Sequence, residues 1–146
     1  MCPTIGAGER IVADMSACRS RAPQRGELIP VKLPGSNALF TKRVVGTAGD
    51  TVRAGPTNEV IVNGRPLSPS DICGKPIVEQ SPFVQLPSFP STTLPAGSFF
   101  VVGDNLPNSN DSRYPEFGLV RAEQVEAQPR FIYWSPGRSR IGWRTQ

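Results

Sequence analysis

The sequence predicts an all-β fold built from short strands and many turns. Its 146 residues include 14 glycines and 16 prolines, which interrupt regular structure at close intervals. The apolar residues come in short runs, several of them rich in the β-forming residues Val, Ile, Phe and Thr. No amphipathic helical pattern extends beyond two turns. We therefore expect antiparallel sheets with long loops and little helix.

The predicted strands are β-forming runs that lie between turn signals. In chain order they are residues 9 to about 15 (ERIVADM), 27–33 (ELIPVKL), 39–46 (LFTKRVVG), a short strand within 48–55 (AGDTVRAG), the two arms of 59–67 (EVIVNGRPL), 98–105 (SFFVVGDN) and one or two strands within 117–134. Pro30 cannot donate to a ladder, so it predicts an edge position or a bulge for the second strand. Asn63-Gly64 predicts a tight hairpin.

Two segments are predicted to be irregular. Residues 16–26 (SACRSRAPQRG) read as an arginine-rich loop. Residues 68–95 are rich in Ser and Pro without clear periodicity, which predicts a loop-rich excursion or a small subdomain. The length indicates a single domain over residues 1–146.

Composition restricts the kinds of site that the chain can carry. A net charge of +4 permits contact with an anionic membrane surface or nucleic acid but indicates neither. The chain has no histidine, and Cys2, Cys18 and Cys73 lack CxxC spacing, which argues against a zinc site and leaves any disulfide pairing open. No apolar run approaches the roughly 18 residues of a membrane span, and the N-terminus lacks the features of a secretory signal. The chain as written is expected to be soluble.

Lys42 stands on an apolar strand face. Strand alternation places Phe40, Lys42 and Val44 on one face, and Thr41 and Arg43 on the other. Desolvation between apolar neighbours should lower the lysine's pKa from its usual value of about 10.4. A neutral lysine can act as the general base for a serine in place of histidine. The alternative is a snorkelling lysine on an edge strand, which the alternation alone favours.

A dense polar stretch, GDNLPNSNDSR (103–113), follows directly on the apolar run FFVV. Asn, Asp, Gly and Pro are ordinary turn residues, which accounts for Asn105, Asn108 and Asn110. A turn alone does not explain the rest of the stretch.

Taken together, these segments resemble the type I signal peptidases, the serine–lysine proteases that remove leader peptides from exported proteins. MCPTI (1–5) resembles the family's S-M-x-P-T-L box from its second residue, KRVVGTAGD (42–50) resembles K-R-x-x-G-x-P-G-D, and VVGDNLPNSNDSR (101–113) resembles G-D-N-x-x-N-S-x-D-S-R. RGELIPVKLP (25–34) is similar to the R-G-D-hydrophobic strand between the first two boxes. The chain departs from the pattern at Ala48, where the family usually has proline, and at Leu106 and Pro107, where it has more polar residues.

The resemblance also locates the family's nucleophilic serine immediately before the Met of the first box. That Met is residue 1 here, so the chain as written begins one residue after its nucleophile and is expected to be inactive. A start codon assigned at an internal methionine would account for this. The family's membrane anchor would then lie upstream.

The resemblance implies catalytic roles for Lys42, as general base, and for Ser109, which hydrogen-bonds the lysine amine and directs it at the nucleophile. Asp111 would pair with both Arg113 and Arg43 and lock the polar loop against the lysine strand. Asp104 and Asn105 would support the site.

The substrate implied by the resemblance is the signal peptide of an exported preprotein, cleaved after Ala-x-Ala-like sites. Met1, Ile5, Phe40 and Thr41 match the family's lining positions, although Ile5 and Phe40 could equally be core residues. The peptide would bind extended, as an added strand. The membrane surface is the other implied partner, with the catalytic domain on the periplasmic side of the inner membrane. Neither a cofactor nor nucleic acid is implied.

Two alternatives remain open on the sequence. One is a relative that has lost its nucleophile and binds exported peptides without cleaving them. The other is a self-cleaving repressor of the SOS type, which also uses serine and lysine but would not need GDNLPNSNDSR. A conjugation-type peptidase with one dedicated substrate is a narrower form of the main interpretation.

Overall fold

The computed structural model describes residues 1, 4–16, 21–56, 59–68, 71 and 89–145. Cys2, Cys18 and Cys73 lie outside the described residues, as does most of the excursion predicted at 68–95.

Ten short strands in the described part of the chain form three antiparallel sheets. They are β1 (Arg10–Asp14), β2 (Leu28–Lys32), β3 (Leu39–Gly46), β4 (Thr51–Ala54), β5 (Val60–Val62), β6 (Arg65–Pro66), β7 (Thr92–Thr93), β8 (Ser98–Val102), β9 (Val120–Arg121) and β10 (Gln128–Trp134). One sheet pairs β1 with β10, the second has the order β2-β3-β8-β9, and the third has the order β6-β5-β4-β7. The predicted all-β fold is confirmed.

The observed strands fall within the predicted segments, except for β7. This two-residue strand pairs with the start of β4 and lies inside the segment predicted as an excursion. Two residues are too few to show a strand period in the sequence. Tertiary pairing with Thr51 and Val52 therefore defines β7.

Pro30 lies in β2, an edge strand of its sheet, opposite Thr41 of β3. Val44 exchanges backbone hydrogen bonds with the β2 side, through Gly26 N–H and Glu27 C=O. Antiparallel pairing alternates, so Thr41, three residues away, directs its own backbone groups to the other side. The N–H that proline lacks is therefore not needed for the ladder with β3, and the predicted edge position is confirmed.

The sheet that contains β3 and β8 is covered by a hydrophobic cluster on each face. One cluster consists of Val45, Val52, Val60, Val62, Leu94, Phe100, Val102 and Leu106. The other consists of Ile29, Val31, Val44, Phe99, Val101, Phe117, Val120 and Val125. Alternate residues of each strand enter opposite clusters, which explains why β8 is a continuous apolar run rather than an alternating one. These two rigid strands carry the candidate site.

The Asn63-Gly64 turn joins β5 to β6 as predicted, with φ of 51° and 79° at the two residues. Positive φ at both central positions is the conformation that matches the twist of a two-residue hairpin. The Asn63 side chain also donates to Asp50 Oδ1 at 2.7 Å, which ties the hairpin to the loop after β3.

Asp50 makes the stability of the fold depend on pH. Burial alone would raise the pKa of this carboxylate. Hydrogen bonds from the Thr47 N–H, Arg25 and Asn63 outweigh burial and lower the pKa from 3.8 to about 2. A carboxyl group whose pKa is lower in the folded protein than in the unfolded chain stabilises the fold at pH values above its unfolded pKa. For Asp50 this contribution is lost as pH falls from about 4 to about 2.

We expect Asp50→Ala to lower the free energy of unfolding at pH 7 by roughly 1–2 kcal/mol, after allowance for screening by solvent. The deficit should shrink towards pH 2, where the wild-type carboxylate is also protonated. Urea unfolding of both proteins between pH 2 and pH 7 measures it, with the exposed Glu116→Ala as control. A deficit that stays constant across this range would show that the ionised carboxylate does not stabilise the fold.

Helices in the described ranges are too short and insufficiently apolar to cross a membrane.

Candidate active site

Lys42 lies on an inner strand, between β2 and β8, and its residue is only 9% exposed. It shares a face with Val44, and its Nζ lies 5.6 Å from the centroid of the Phe117 ring. The alternation predicted from the sequence is therefore observed. The alternative of a snorkelling lysine on an edge strand is wrong, because β3 lies between β2 and β8 in its sheet and Lys42 is buried.

The Lys42 amine contacts the polar loop at one defined point. Its Nζ donates to Ser109 Oγ at 2.8 Å, although the two residues are 67 positions apart in the chain. A Cβ at position 103 would lie 2.7 Å from Ser109 Cβ and would collide with its Oγ. Gly103 is therefore required for the serine to approach the lysine, because any larger residue would displace the hydroxyl.

The pKa of Lys42 is lowered from its ordinary value of 10.5, mainly because burial disfavours the charged ammonium. The Asp111 carboxylate acts in the opposite direction, and the Arg113 guanidinium adds to the lowering. A larger fraction of this amine is therefore neutral near pH 7 than for a solvated lysine. A neutral amine can accept a proton, which is the property that a general base needs.

Asp111 and Arg113 form an ion pair whose two side chains are both fully buried. Arg113 Nε donates to Asp111 Oδ1 at 2.7 Å, and its Nη2 donates to Oδ2 at 2.9 Å. The same Nη2 donates to the carbonyl oxygens of Leu106 and Ser109, at 2.7 and 3.1 Å. Gly103 N–H donates to Asp111 Oδ2 at 2.9 Å. The pair thus fixes the backbone that carries the Ser109 hydroxyl.

Arg43 does not pair with Asp111, so that part of the sequence prediction is wrong. Its Nε and Nη2 instead donate to the two oxygens of Asp104, at 2.7 and 2.8 Å. The reason is strand register: Arg43 is directly opposite Val102, and Asp104 lies two residues further on the same side. The two aspartates therefore pair with different arginines, Asp104 with Arg43 and Asp111 with Arg113.

Thr4 belongs to this network and was not among the residues predicted from the sequence. Its Oγ1 donates to Asp104 Oδ2 and accepts from Arg43 Nη2 at 3.2 Å. Asn105, predicted to support the site, makes a local contact: its Oδ1 accepts from Asn108 Nδ2 at 3.4 Å. This bond lies within the 3₁₀ turn at Leu106–Asn108, as the turn interpretation of these asparagines predicts.

A cleft of ≈ 500 Å³ brings the four predicted lining residues together with Lys42. Met1, Ile5, Phe40 and Thr41 all line it. Phe40 is 36% exposed and Ile5 is partly exposed, so neither is a core residue. Part of the wall also comes from residues that the sequence did not indicate: Gly6, Ala7, Glu9, Ile11 and Leu39.

The described part of the chain contains no candidate metal-binding site. No group of three or more His, Cys, Asp or Glu residues lies close enough there to hold an ion. The ionisable side chains that line the cleft are the Lys42 amine, which is hydrogen-bonded to Ser109, and the Glu9 carboxylate.

Comparison with protein families gives one match that covers most of the chain. The model of "Signal peptidase, peptidase S26" matches residues 1–134. This range contains the cleft, Lys42 and the polar loop, and it extends to the end of β10.

Curated relatives carry the same family name. The chain is 31% identical to "Probable signal peptidase I-2" of Synechocystis sp. over 138 residues, covering 90% of this chain and 58% of that protein. It is 30% identical over 146 residues to "Signal peptidase I" of Leptolyngbya laminosa, covering 94% and 66%, and 31% identical over 133 residues to one from Bacillus amyloliquefaciens, covering 90% and 70%. The chain thus spans roughly three fifths to two thirds of the first two relatives.

A solved structure supports the same relationship. The crystal structure of a signal peptidase I from Enterococcus faecalis V583 superposes with a TM-score of 0.55 at 29% identity. The match covers 74% of this chain and 97% of that one.

Proposed function

The chain belongs to the signal peptidase family, peptidase S26, and on that premise we propose that it is the catalytic domain of a type I signal peptidase that cleaves leader peptides with a serine–lysine dyad. The observation that carries the proposal is the buried Lys42 amine, which is hydrogen-bonded to Ser109 at 2.8 Å and lines a cleft together with Ile5 and Phe40. The nucleophile is a serine immediately before Met1. Met1 lines the same cleft as Lys42, which supports a position for the attached residue beside this cleft.

Lys42 transfers the proton in both halves of the reaction. It takes the proton from the serine hydroxyl as the serine oxygen bonds to the scissile carbonyl carbon. Backbone N–H at the serine stabilises the resulting oxyanion. The C–N bond then breaks, and the Lys42 ammonium gives its proton to the departing amine. Water, deprotonated by the same lysine, then attacks the carbonyl carbon of the acyl-serine ester. The bond from this carbon to the serine oxygen breaks, Lys42 returns the proton to the serine oxygen, and the second product is released.

The substrate binds as an extended strand beside residues 39–41. Within the described ranges, these residues pair only with β2, whereas β8 pairs with β3 from Arg43 onwards. The backbone groups of Leu39 and Thr41 face the unpaired side, by the alternation that Val44 defines. Main-chain hydrogen bonds to this edge would supply affinity. The apolar side chains that line the cleft, among them Ile5 and Phe40, would select small side chains in an Ala-x-Ala-like site.

The membrane surface is the second proposed partner, with the domain on the periplasmic side of the inner membrane and no role for nucleic acid. The support is a group of exposed apolar residues on and after β10: Phe131, Tyr133, Trp134, Ile141 and Trp143. Arg10 and Arg140 lie over the rings of Trp134 and Trp143. Aromatic rings beside cations suit an interface between lipid and water.

A serine placed before Met1 tests the proposed function. The 146-residue polypeptide by itself should show no detectable cleavage of an Ala-x-Ala peptide in detergent, because it does not contain the serine that we propose as the nucleophile. The polypeptide extended by one serine should cleave the peptide. The matched control is extended by alanine and should be inactive.

Equal cleavage by the serine-extended and alanine-extended polypeptides would rule out the serine–lysine mechanism. Tight peptide binding without cleavage by the serine-extended polypeptide would favour a peptide-binding relative instead.

A further inference from the structure

The N-terminal segment, defined here as residues 4–9, forms one wall of the cleft without belonging to a strand. It contributes Ile5, Gly6 and Glu9 to the cleft that holds Lys42. Its backbone contains bends and turns, and Ile5 N–H donates to Met1 C=O at 3.0 Å. A segment of this kind depends on side chains from elsewhere for its position.

Arg140 supplies such a contact from the far end of the chain. Its Nη2 donates to the carbonyl oxygen of Thr4 at 2.6 Å, across 136 positions of sequence. Its guanidinium also lies over the ring of Trp143, 5.1 Å from the centroid. The surrounding backbone is anchored to β10, since Ile132 N–H donates to Trp143 C=O at 2.9 Å and Gly142 N–H donates to Ile132 C=O at 2.8 Å.

Glu9 extends this contact to the other end of the segment. Its buried carboxylate lies 3.5 Å from Arg140 Nε. One oxygen accepts from the backbone N–H of Gly6 at 2.7 Å, and the other accepts from Ser135 Oγ at 3.0 Å. Arg140 therefore touches both Thr4 and Glu9.

The side chain of Thr4 is held by residues of the candidate active site. Its hydroxyl bonds to Asp104 and to Arg43, the residue next to Lys42. The position of this threonine relative to the lysine is therefore fixed twice, through its side chain by the site and through its carbonyl by Arg140. Met1 is tied to the same segment, because its carbonyl oxygen accepts from the N–H of Ile5, the residue after Thr4.

We propose that Arg140 is a positioning residue for the nucleophile, acting through Thr4 and Glu9 to hold the N-terminal segment against Lys42. The proposal rests on the function proposed above. Its physical basis is that a displacement of about 1 Å between a nucleophile and its base can cost roughly a hundredfold in rate. Arg140 does not touch the reacting atoms.

Two measurements on Arg140→Ala test the proposal. In the serine-extended polypeptide, we expect kcat for an Ala-x-Ala peptide to fall roughly 10- to 100-fold while KM changes less than about twofold. Arg140→Lys should recover part of the loss, because an ammonium can reach only one of the two partners well. Arg138→Ala, in the same exposed turn, is the matched control and should leave kcat unchanged.

Amide hydrogen exchange provides a readout that needs no activity. In the 146-residue polypeptide, Arg140→Ala should accelerate exchange at Ile5 and Gly6 by at least about tenfold. Exchange at Val44 and Val101, in the two central strands, should not change. Unchanged exchange at Ile5 and Gly6, or a rise in KM with constant kcat, would overturn the proposal. An inactive serine-extended parent would refute the proposed function, and the exchange measurement would still decide whether Arg140 holds the segment.

Discussion

Lys42→Ala in the serine-extended polypeptide should lower kcat/KM for an Ala-x-Ala peptide by at least about a thousandfold. A positioned general base contributes on the order of 10²–10⁴ in rate, and in the proposed mechanism Lys42 also acts as the acid for the leaving amine. Peptide-cleavage assays by mass spectrometry measure the loss. The fold should persist, because removing a buried amine leaves only the Ser109 hydroxyl without that partner.

The matched control is Lys32→Ala, which removes an exposed lysine from β2 and should leave activity unchanged. The pH profile gives a second check. The base must be neutral, so activity of the parent should rise with pH through the lowered pKa of Lys42, with the midpoint of the rise below 10.5. Near-normal cleavage by Lys42→Ala would rule out catalysis by a serine–lysine dyad.

Asp111→Ala should lower the free energy of unfolding by about 3–5 kcal/mol. Removing one partner of a buried ion pair leaves the other charge desolvated, and Arg113 is fully buried here. The two carbonyl oxygens that Arg113 also contacts offset only part of this loss. Urea unfolding followed by circular dichroism measures the change. Activity should fall as well, because the same pair holds the backbone of Ser109.

Asp14→Ala is the matched control, since Asp14 pairs with Arg130 in an exposed ion pair. Its cost should stay below about 1 kcal/mol. Equal costs for the two variants would mean that the Asp111–Arg113 pair is solvated in solution and does not organise the polar loop.

The sequence predicted the lysine strand well because its signals are local. Alternation alone placed Lys42 and Val44 on one face of β3, and the turn signals on either side bounded the strand. The polar loop was also recognisable, since Ser109, Asp111 and Arg113 lie within five residues and their contacts with one another are short-range.

Contacts that depend on strand register were not predictable in the same way. Arg43 pairs with Asp104 rather than Asp111 because it lies opposite Val102, and a single sequence does not specify which residues face each other across two strands. Thr4 and Arg140 were missed for a related reason. Their partners are 100 and 136 positions away. Thr4 belongs to the MCPTI box, but that box does not indicate which residue its hydroxyl contacts, and Arg140 stands in none of the recognised motifs.

The most direct test of the serine–lysine account is to find where an acyl group attaches to the protein. The serine-extended polypeptide is mixed with an activated ester of an Ala-x-Ala peptide, quenched in acid and digested for mass spectrometry. We predict an acyl adduct on the serine immediately before Met1, formed in the parent and absent from Lys42→Ala. An adduct on Ser109 or another serine, or equal acylation in Lys42→Ala, would contradict the account.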